Sequence, residues 1–507
     1  MSAVAARTRY PNPLVPGFNP DPSIVKVGGD YYLVTSTFEY LPGIPVYHST
    51  DLMTWTQIGN VAARPEQLDL DEIPTLGGVW APTIRYRDGV FYVIVTVAMG
   101  GGCVVFTAAN AAGPWSDPVV IAGIEGIDPD LAWGDDSTAY VTFSGLVTRG
   151  PDAGKHLGIQ QARVDLAAGS VLEEPRSLWS GTGLKFPEAP HLYQRGGFWY
   201  LMIAEGGTER GHGVSIARGS SPEGPFVGFE ENPFLSARST GRPIQNTGHA
   251  DLVETPDGGT ALVLLGMRPR GMTQAFSALG RETFITGVEW TDGWPSAEPV
   301  ELRPREGDTR FSVDFLDGGE LDAGWIAVRR LPSDVAAPGE RGLEIAGDGS
   351  TLDTARPFFV GRRQLNQTAR VSTIVDASAG VGGLAVRYDE DHHVELEVTG
   401  DSSGNRVVGR IRLAGVQQEW TAELPAGPVE LHLDAVPVDA KFGPGQLSSD
   451  RILLSAVSSG VEAALAELDG RYLSAETAAS FTGRVVGLYG VSGVVSFFRF
   501  DYTGSED

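Results

Sequence analysis

The chain has 507 residues, 42% hydrophobic and 20% charged, with 66 glycines, 33 prolines and a single cysteine. That length predicts two or three domains, and Gly and Pro without a collagen-like period suit a turn-rich all-β protein. The net charge of −26 argues against a nucleic-acid partner and disfavours anionic membranes, and a lone Cys103 excludes an intrachain disulfide.

The first residues, MSAVAARTRYPNP, hold no apolar stretch long enough for a signal peptide. No run of about 18 apolar residues follows, so the expectation is a cytoplasmic protein with no membrane span. Five segments then repeat one template, a turn followed by an aromatic or aliphatic strand. They are GGDYYLVTST from Gly28, RDGVFYVIVT from Arg87, GDDSTAYVTFSG from Gly134, RGGFWYLMIAEG from Arg195 and PDGGTALVLLGM from Pro256. Their starts lie roughly 45 to 60 residues apart, the spacing of propeller blades. An aromatic anchor in a polar turn closes each unit: Trp55, Trp115, Trp179, Phe226 and Trp294. Cys103 falls in the second strand of unit two and reads as buried.

Near Arg305 the pattern changes to short alternating strands, among them LAVRYDE from Leu384, HHVELEV from His392 and VSFFRFDY from Val495. The predicted architecture is all-β, a five-bladed propeller over 1–308 and a β-sandwich over 309–507. The join, Thr309 to Phe315, is not low-complexity, which predicts close packing of the two domains.

About eight residues ahead of each unit's turn stand Asp21, Trp80, Asp128, Glu188 and His249. Innermost blade strands line a central channel, so the repeat register predicts that these five converge at one end of it. Prolines adjoin several of them and stiffen the chain there. Clustered carboxylates facing an indole suit sugar cleavage, where one carboxyl donates a proton and another acts on the opposite face. A third carboxylate nearby raises the donor's pKa. Simpler readings stand beside these. Asp130 is an alternative third carboxylate, and His249 could be a hydrogen-bonded buried histidine. Arg281 could pair with Glu282, and Phe38 could be blade core. His212 reads as a loop residue, and His392 and His393 as sandwich residues without a metal.

The motifs NPDPS, GGVWAPTIRY, GIDPDLAW, FPEAPHLY, TGHADLVET and LGRETF, in that order, resemble glycoside hydrolase family 43 and its two-domain β-xylosidase members. The resemblance implies a propeller followed by a concanavalin-like sandwich. It implies Asp21 as general base, Asp128 as the residue that orients and tunes the acid, and Glu188 as general acid. It places Phe38 and Trp80 as apolar walls of the sugar subsite, and Arg281 on the sugar hydroxyls. It places His249 beside a bound cation, often calcium, on the propeller axis, with no cofactor for the chemistry. Phe284 after LGRET departs from the smaller residue common in such enzymes.

The expected activity is exo-acting, inverting release of xylose from the non-reducing end of β-1,4-xylo-oligosaccharides, with the sandwich closing one side of a blind pocket. The alternative enzyme is an α-L-arabinofuranosidase acting from the same site, and the non-enzyme alternative is a carbohydrate-binding propeller. The expected partner is an oligosaccharide substrate, with no nucleic acid and no membrane, and with room for a homo-oligomer.

Overall fold

Runs of four to eight apolar residues between Gly, Asp and Asn turns form strands because alternate side chains can then be buried on two faces. In the computed structural model, which describes residues 9–147, 150–438 and 447–506, such runs build five antiparallel sheets in chain order. The innermost strands are Ser23–Val27, Gly78–Arg87, Ile127–Trp133, Glu188–Arg195 and Gln245–Glu254. Each contacts the next, and the fifth returns to the first, which closes a five-bladed ring. Blades three and four carry a fifth short strand, Arg176–Trp179 and Leu235–Ser236. The second strands, such as Phe198–Glu205 and Thr260–Met267, are buried along nearly their whole length. Both of their faces pack against neighbouring blades, which is why they read as continuous apolar runs.

The ring is latched by the segment ahead of blade one. The Asn12 amide donates to the Ile285 carbonyl at 2.9 Å, and the Ile285 N–H donates back to Asn12 Oδ1 at 2.9 Å. Val15 bridges to Thr283 one turn further in. Cys103 is 2% exposed in the strand Gly102–Ala108, and burial pushes its thiol up to about 12, so it is no nucleophile.

The second domain is a 14-stranded hydrogen-bonded sheet that folds upon itself around one large core containing Trp325, Tyr388, Phe497 and Phe500. Two long strands, Thr368–Arg387 and Val485–Ser505, pair along their length and bend at three register shifts. The bends leave no room for a Cβ at Gly383, beside the Leu396 carbonyl. The sheet also contains the strands Val416–Leu424 and Val461–Asp469. Both are largely exposed outer strands, and VEAALAELD has the Ala, Glu and Leu content of a helix. Pairing with Arg451–Ser458 overrides that preference.

The domains pack closely. Tyr40–Leu41, from the propeller sequence, pairs with Ile326–Val328 of the second sheet. The Tyr388 hydroxyl donates to the carbonyls of Ser277 and Ala278 at 2.9 and 2.7 Å. Glu476, on the four-residue helix Ala475–Ala478, accepts from the Ser277 N–H and hydroxyl, both at 2.7 Å. This docking brings the segment just after that helix to the mouth of the propeller. No helix is long and apolar enough to cross a membrane among the described residues.

Candidate active site

The inner strands of blades two to five each carry a one-residue irregularity near the same end, at Trp80/Thr83, Ile127/Asp130, Glu188/His191 and Gly248/Ala250. Within it one residue adopts the left-handed backbone: Ala81 (φ 44°), Asp128 (54°), Ala189 (51°) and His249 (47°), with Asp21 (54°) in the same place in blade one. Proline follows in four blades (Pro22, Pro82, Pro129, Pro190) and Ala250 in the fifth. A non-glycine residue at positive φ is costly and persists where its surroundings hold it, commonly at functional sites. This corrects the spacing argument. Asp21, Asp128 and His249 are equivalent, whereas Trp80 and Glu188 each stand one residue ahead of the equivalent position. The bulge turns successive side chains toward the channel mouth, so all five still converge.

They line one pocket of about 70 Å³ together with Phe38, Ile127, Thr208, His212, Arg281 and Phe481. Asp21 is 5% exposed. Its Oδ2 accepts from the Ser36 hydroxyl at 2.6 Å, and its Oδ1 lies 3.1 Å from Arg281 Nη1 and 3.5 Å from His249 Nδ1. Burial alone would raise its pKa, but the Arg281 charge, the His249 ring and the Ser36 hydroxyl hold it below the usual carboxylate range. Glu188 forms no ion pair among the described residues, and the Arg281 charge only partly opposes the rise in its pKa. Burial, then the charges of Asp128 and Asp21, push it well above the ordinary glutamate value. Burial and the Asp21 charge likewise raise Asp128 to about 7. Asp128 Oδ2 accepts from the Ala189 N–H at 3.0 Å, which fixes the backbone next to Glu188. One carboxylate is therefore held ionised and another held protonated in the same pocket. Burial foremost lowers His249 to about 3 and His212 to about 4, so both rings are neutral.

The walls are aromatic. Phe481 of the second domain lies 5.9 Å from Phe38 and meets Trp80 edge-on at 5.6 Å, ring centre to ring centre. The Arg281 guanidinium stacks 5.1 Å from Phe481 and 5.5 Å from Phe38, and it donates to the Thr208 hydroxyl and the Phe481 carbonyl. Arg281 does not pair with Glu282, which takes Arg268 instead at 2.7 and 2.9 Å. Phe38, 1% exposed, serves both readings: it lines the pocket and packs with Phe18 and Tyr40. Phe284 is core between blades four and five and does not line the pocket, so the departure noted there leaves the site untouched. His392 bonds Asp389 at 2.9 Å in the sandwich, away from the pocket.

Two residues beyond the bulge, a second ring holds Ser23, Asp130, His191 and Asp251, gathered by Arg85. The guanidinium reaches Asp130 at 2.6 Å, Asp251 at 2.9 Å and His191 Nδ1 at 2.9 Å. Asp130 is thus spent on a buried ion pair beneath the site, and Asp128 is the third carboxylate of the pocket. Sequence reasoning missed Arg85, Thr208 and Phe481; His212 is a loop residue as expected, just ahead of the strand Gly213–Gly219, and it also lines the pocket. A calcium ion takes six to eight oxygen ligands. Around His249 no cluster of three or more His, Cys, Asp or Glu side chains offers a metal site among the described residues, and the carboxylates Asp130 and Asp251 are bonded to Arg85. These residues do not fit a calcium caged by protein oxygens.

A propeller whose mouth holds an ionised and a protonated carboxyl, walled by aromatic rings, defines a glycoside hydrolase. Comparison with known proteins agrees. The model of glycosyl hydrolases family 43 matches residues 10–295, and that of the β-xylosidase C-terminal concanavalin A-like domain matches 312–503. A non-reducing end α-L-arabinofuranosidase of Bacteroides ovatus is 36% identical, over 96% of this chain and 92% of its own. A xylan 1,3-β-xylosidase of a Vibrio species is 38% identical, over 79% of this chain and 81% of its own. The crystal structure of a xylan β-1,4-xylosidase from Bacillus halodurans superposes with a TM-score of 0.85 at 30% identity, covering 97% of this chain and all of that one (100%). The chain belongs to glycoside hydrolase family 43. It is an enzyme that hydrolyses a glycoside and needs no cofactor for that chemistry.

Proposed function

We propose that this enzyme is an exo-acting, inverting β-xylosidase that releases xylose from the non-reducing end of β-1,4-xylo-oligosaccharides. The observation that carries the reading is the pairing of Asp21, held ionised, with Glu188, held protonated, in a pocket closed by Phe481. Asp21 takes a proton from water as the water oxygen bonds to the anomeric carbon. The glycosidic C–O bond breaks, and the Glu188 proton goes to the leaving oxygen. Solvent restores both groups afterwards. Asp128 holds the backbone beside Glu188 and, by its charge, keeps that proton in place. Arg281 offers donors to sugar hydroxyls while keeping Asp21 ionised. Phe38, Trp80 and Phe481 pack on the apolar ring faces. The small pocket supports entry of a chain end rather than a threaded polymer.

The second reading, α-L-arabinofuranosidase action, is favoured by the similarity to the Bacteroides arabinofuranosidase. Both sugars present similar hydroxyl patterns to one pocket. The test is a pair of nitrophenyl glycosides. The expected result is kcat/KM for the β-xylopyranoside at least ~10-fold above that for the α-L-arabinofuranoside, the scale on which one pocket separates close analogues. The reverse order would move the assignment to arabinose.

A further inference from the structure

A cavity of about 380 Å³ lies on the seam between the domains, separate from the active site. The propeller side supplies Asn19, Tyr47 and Trp55, the domain connection supplies Arg305, and the second domain supplies Arg362 and Arg363. Its lining holds three arginines and no carboxylate, in a chain of net charge −26.

Among the described residues, Arg362 alone of the three has a counter-charge, Asp322 at 2.5 Å. Arg305, exposed at the rim, donates to the carbonyls of Pro13, Leu14 and Met53 at 3.1, 2.9 and 3.0 Å. Arg363 is 5% exposed, its Nε donates to the Phe18 carbonyl at 2.8 Å, and it lies 4.5 Å from the Phe18 ring. Its Nη2 is buried without a hydrogen-bond partner, as is the Trp55 indole N–H. Neither Arg305 nor Arg363 forms an ion pair among the described residues. A buried guanidinium without an anion is costly, because carbonyls and a ring face replace only part of its hydration. Burial accordingly lowers the Arg363 pKa.

We infer that this cavity binds a small oxyanion, of the charge and size of inorganic phosphate. Planar guanidinium forks match such oxygens, and Arg305 and Arg363 have no competing carboxylate. An ion there would join the propeller to the second domain. It would also brace the segment that leads to Asp21, since Asn19 lines the cavity and its N–H donates to the Arg281 carbonyl at 3.0 Å.

The test is equilibrium dialysis of the full chain against radiolabelled inorganic phosphate, alongside melting curves in phosphate or chloride at matched ionic strength. No substrate is present, so the result is independent of the proposed xylosidase reading. The expected result is one phosphate per chain and a rise in Tm that saturates with its binding curve. General exclusion of phosphate from protein surfaces would instead raise Tm without saturating. Arg363→Gln should abolish the binding, and Arg305→Gln, at the exposed rim, should weaken it ~10-fold, the loss expected of one charge-assisted hydrogen bond. If Arg363→Gln fails to fold, the Arg305→Gln arm decides alone. No saturable binding, or binding unchanged in Arg305→Gln, would overturn the proposal.

Discussion

Asp21→Ala is expected to lower kcat by ~10²–10⁴-fold or more on every glycoside, whatever its leaving group. The proposed base acts on water, and water attacks in the same way for a nitrophenyl glycoside and for a disaccharide. The structure gives the variant few ways to compensate. Asp21 is the pocket carboxylate that a guanidinium and a hydroxyl together keep ionised. Glu188 is held protonated, and Asp128 is engaged with the Ala189 N–H beside it, so neither takes over as base. The loss should fall on kcat, with KM little changed, because the water is activated only in the transition state. Steady-state kinetics on aryl and natural substrates checks this, and near-wild-type turnover would remove Asp21 from the mechanism.

The second large effect depends on the leaving group. Glu188→Ala should cost ~10²–10⁴-fold on xylobiose, whose leaving sugar must be protonated. It should cost far less on a dinitrophenyl glycoside, whose leaving group departs as an anion. The same contrast should show in pH profiles of the unaltered enzyme. Asp21 must be ionised, and its pKa is lowered, so activity on xylobiose should fall on the acid side only below the usual carboxylate range. Glu188 must be protonated, and its pKa is raised, so the alkaline fall should come well above the ordinary glutamate value. That alkaline limb should be absent with the dinitrophenyl substrate. Equal losses on both substrates in Glu188→Ala would argue that Glu188 supports the fold of the site rather than protonating the leaving oxygen.

What the sequence made legible was local. The five turn-plus-strand units announced the blades because each must bury a similar apolar strand against its neighbours. The prolines beside Asp21, Asp128 and Glu188 marked a stiffened channel edge. The bulge behind them was not visible, since a one-residue irregularity leaves no periodic trace, and the spacing misaligned Trp80 and Glu188 by one. Long-range partners were hidden as well. Phe481 sits in ASFTGR, a stretch with no distinguishing pattern, and reaches the pocket only because Glu476 and Tyr388 dock the second domain on Ser277. Arg85 looked like one charge in a strand, and its value lies in meeting Asp130 and Asp251 from two other blades. In the second domain, Val461–Asp469 is a strand by virtue of its neighbour rather than its own composition.

In the proposed mechanism water, activated by Asp21, attacks while Glu188 protonates the departing oxygen. Proton NMR of the first sugar released, recorded before the anomers equilibrate, tests it most directly. Starting from a β-xyloside, the account predicts that α-xylose appears first. First appearance of β-xylose would mean a covalent intermediate on the enzyme and would contradict the assignment of Asp21 as a base.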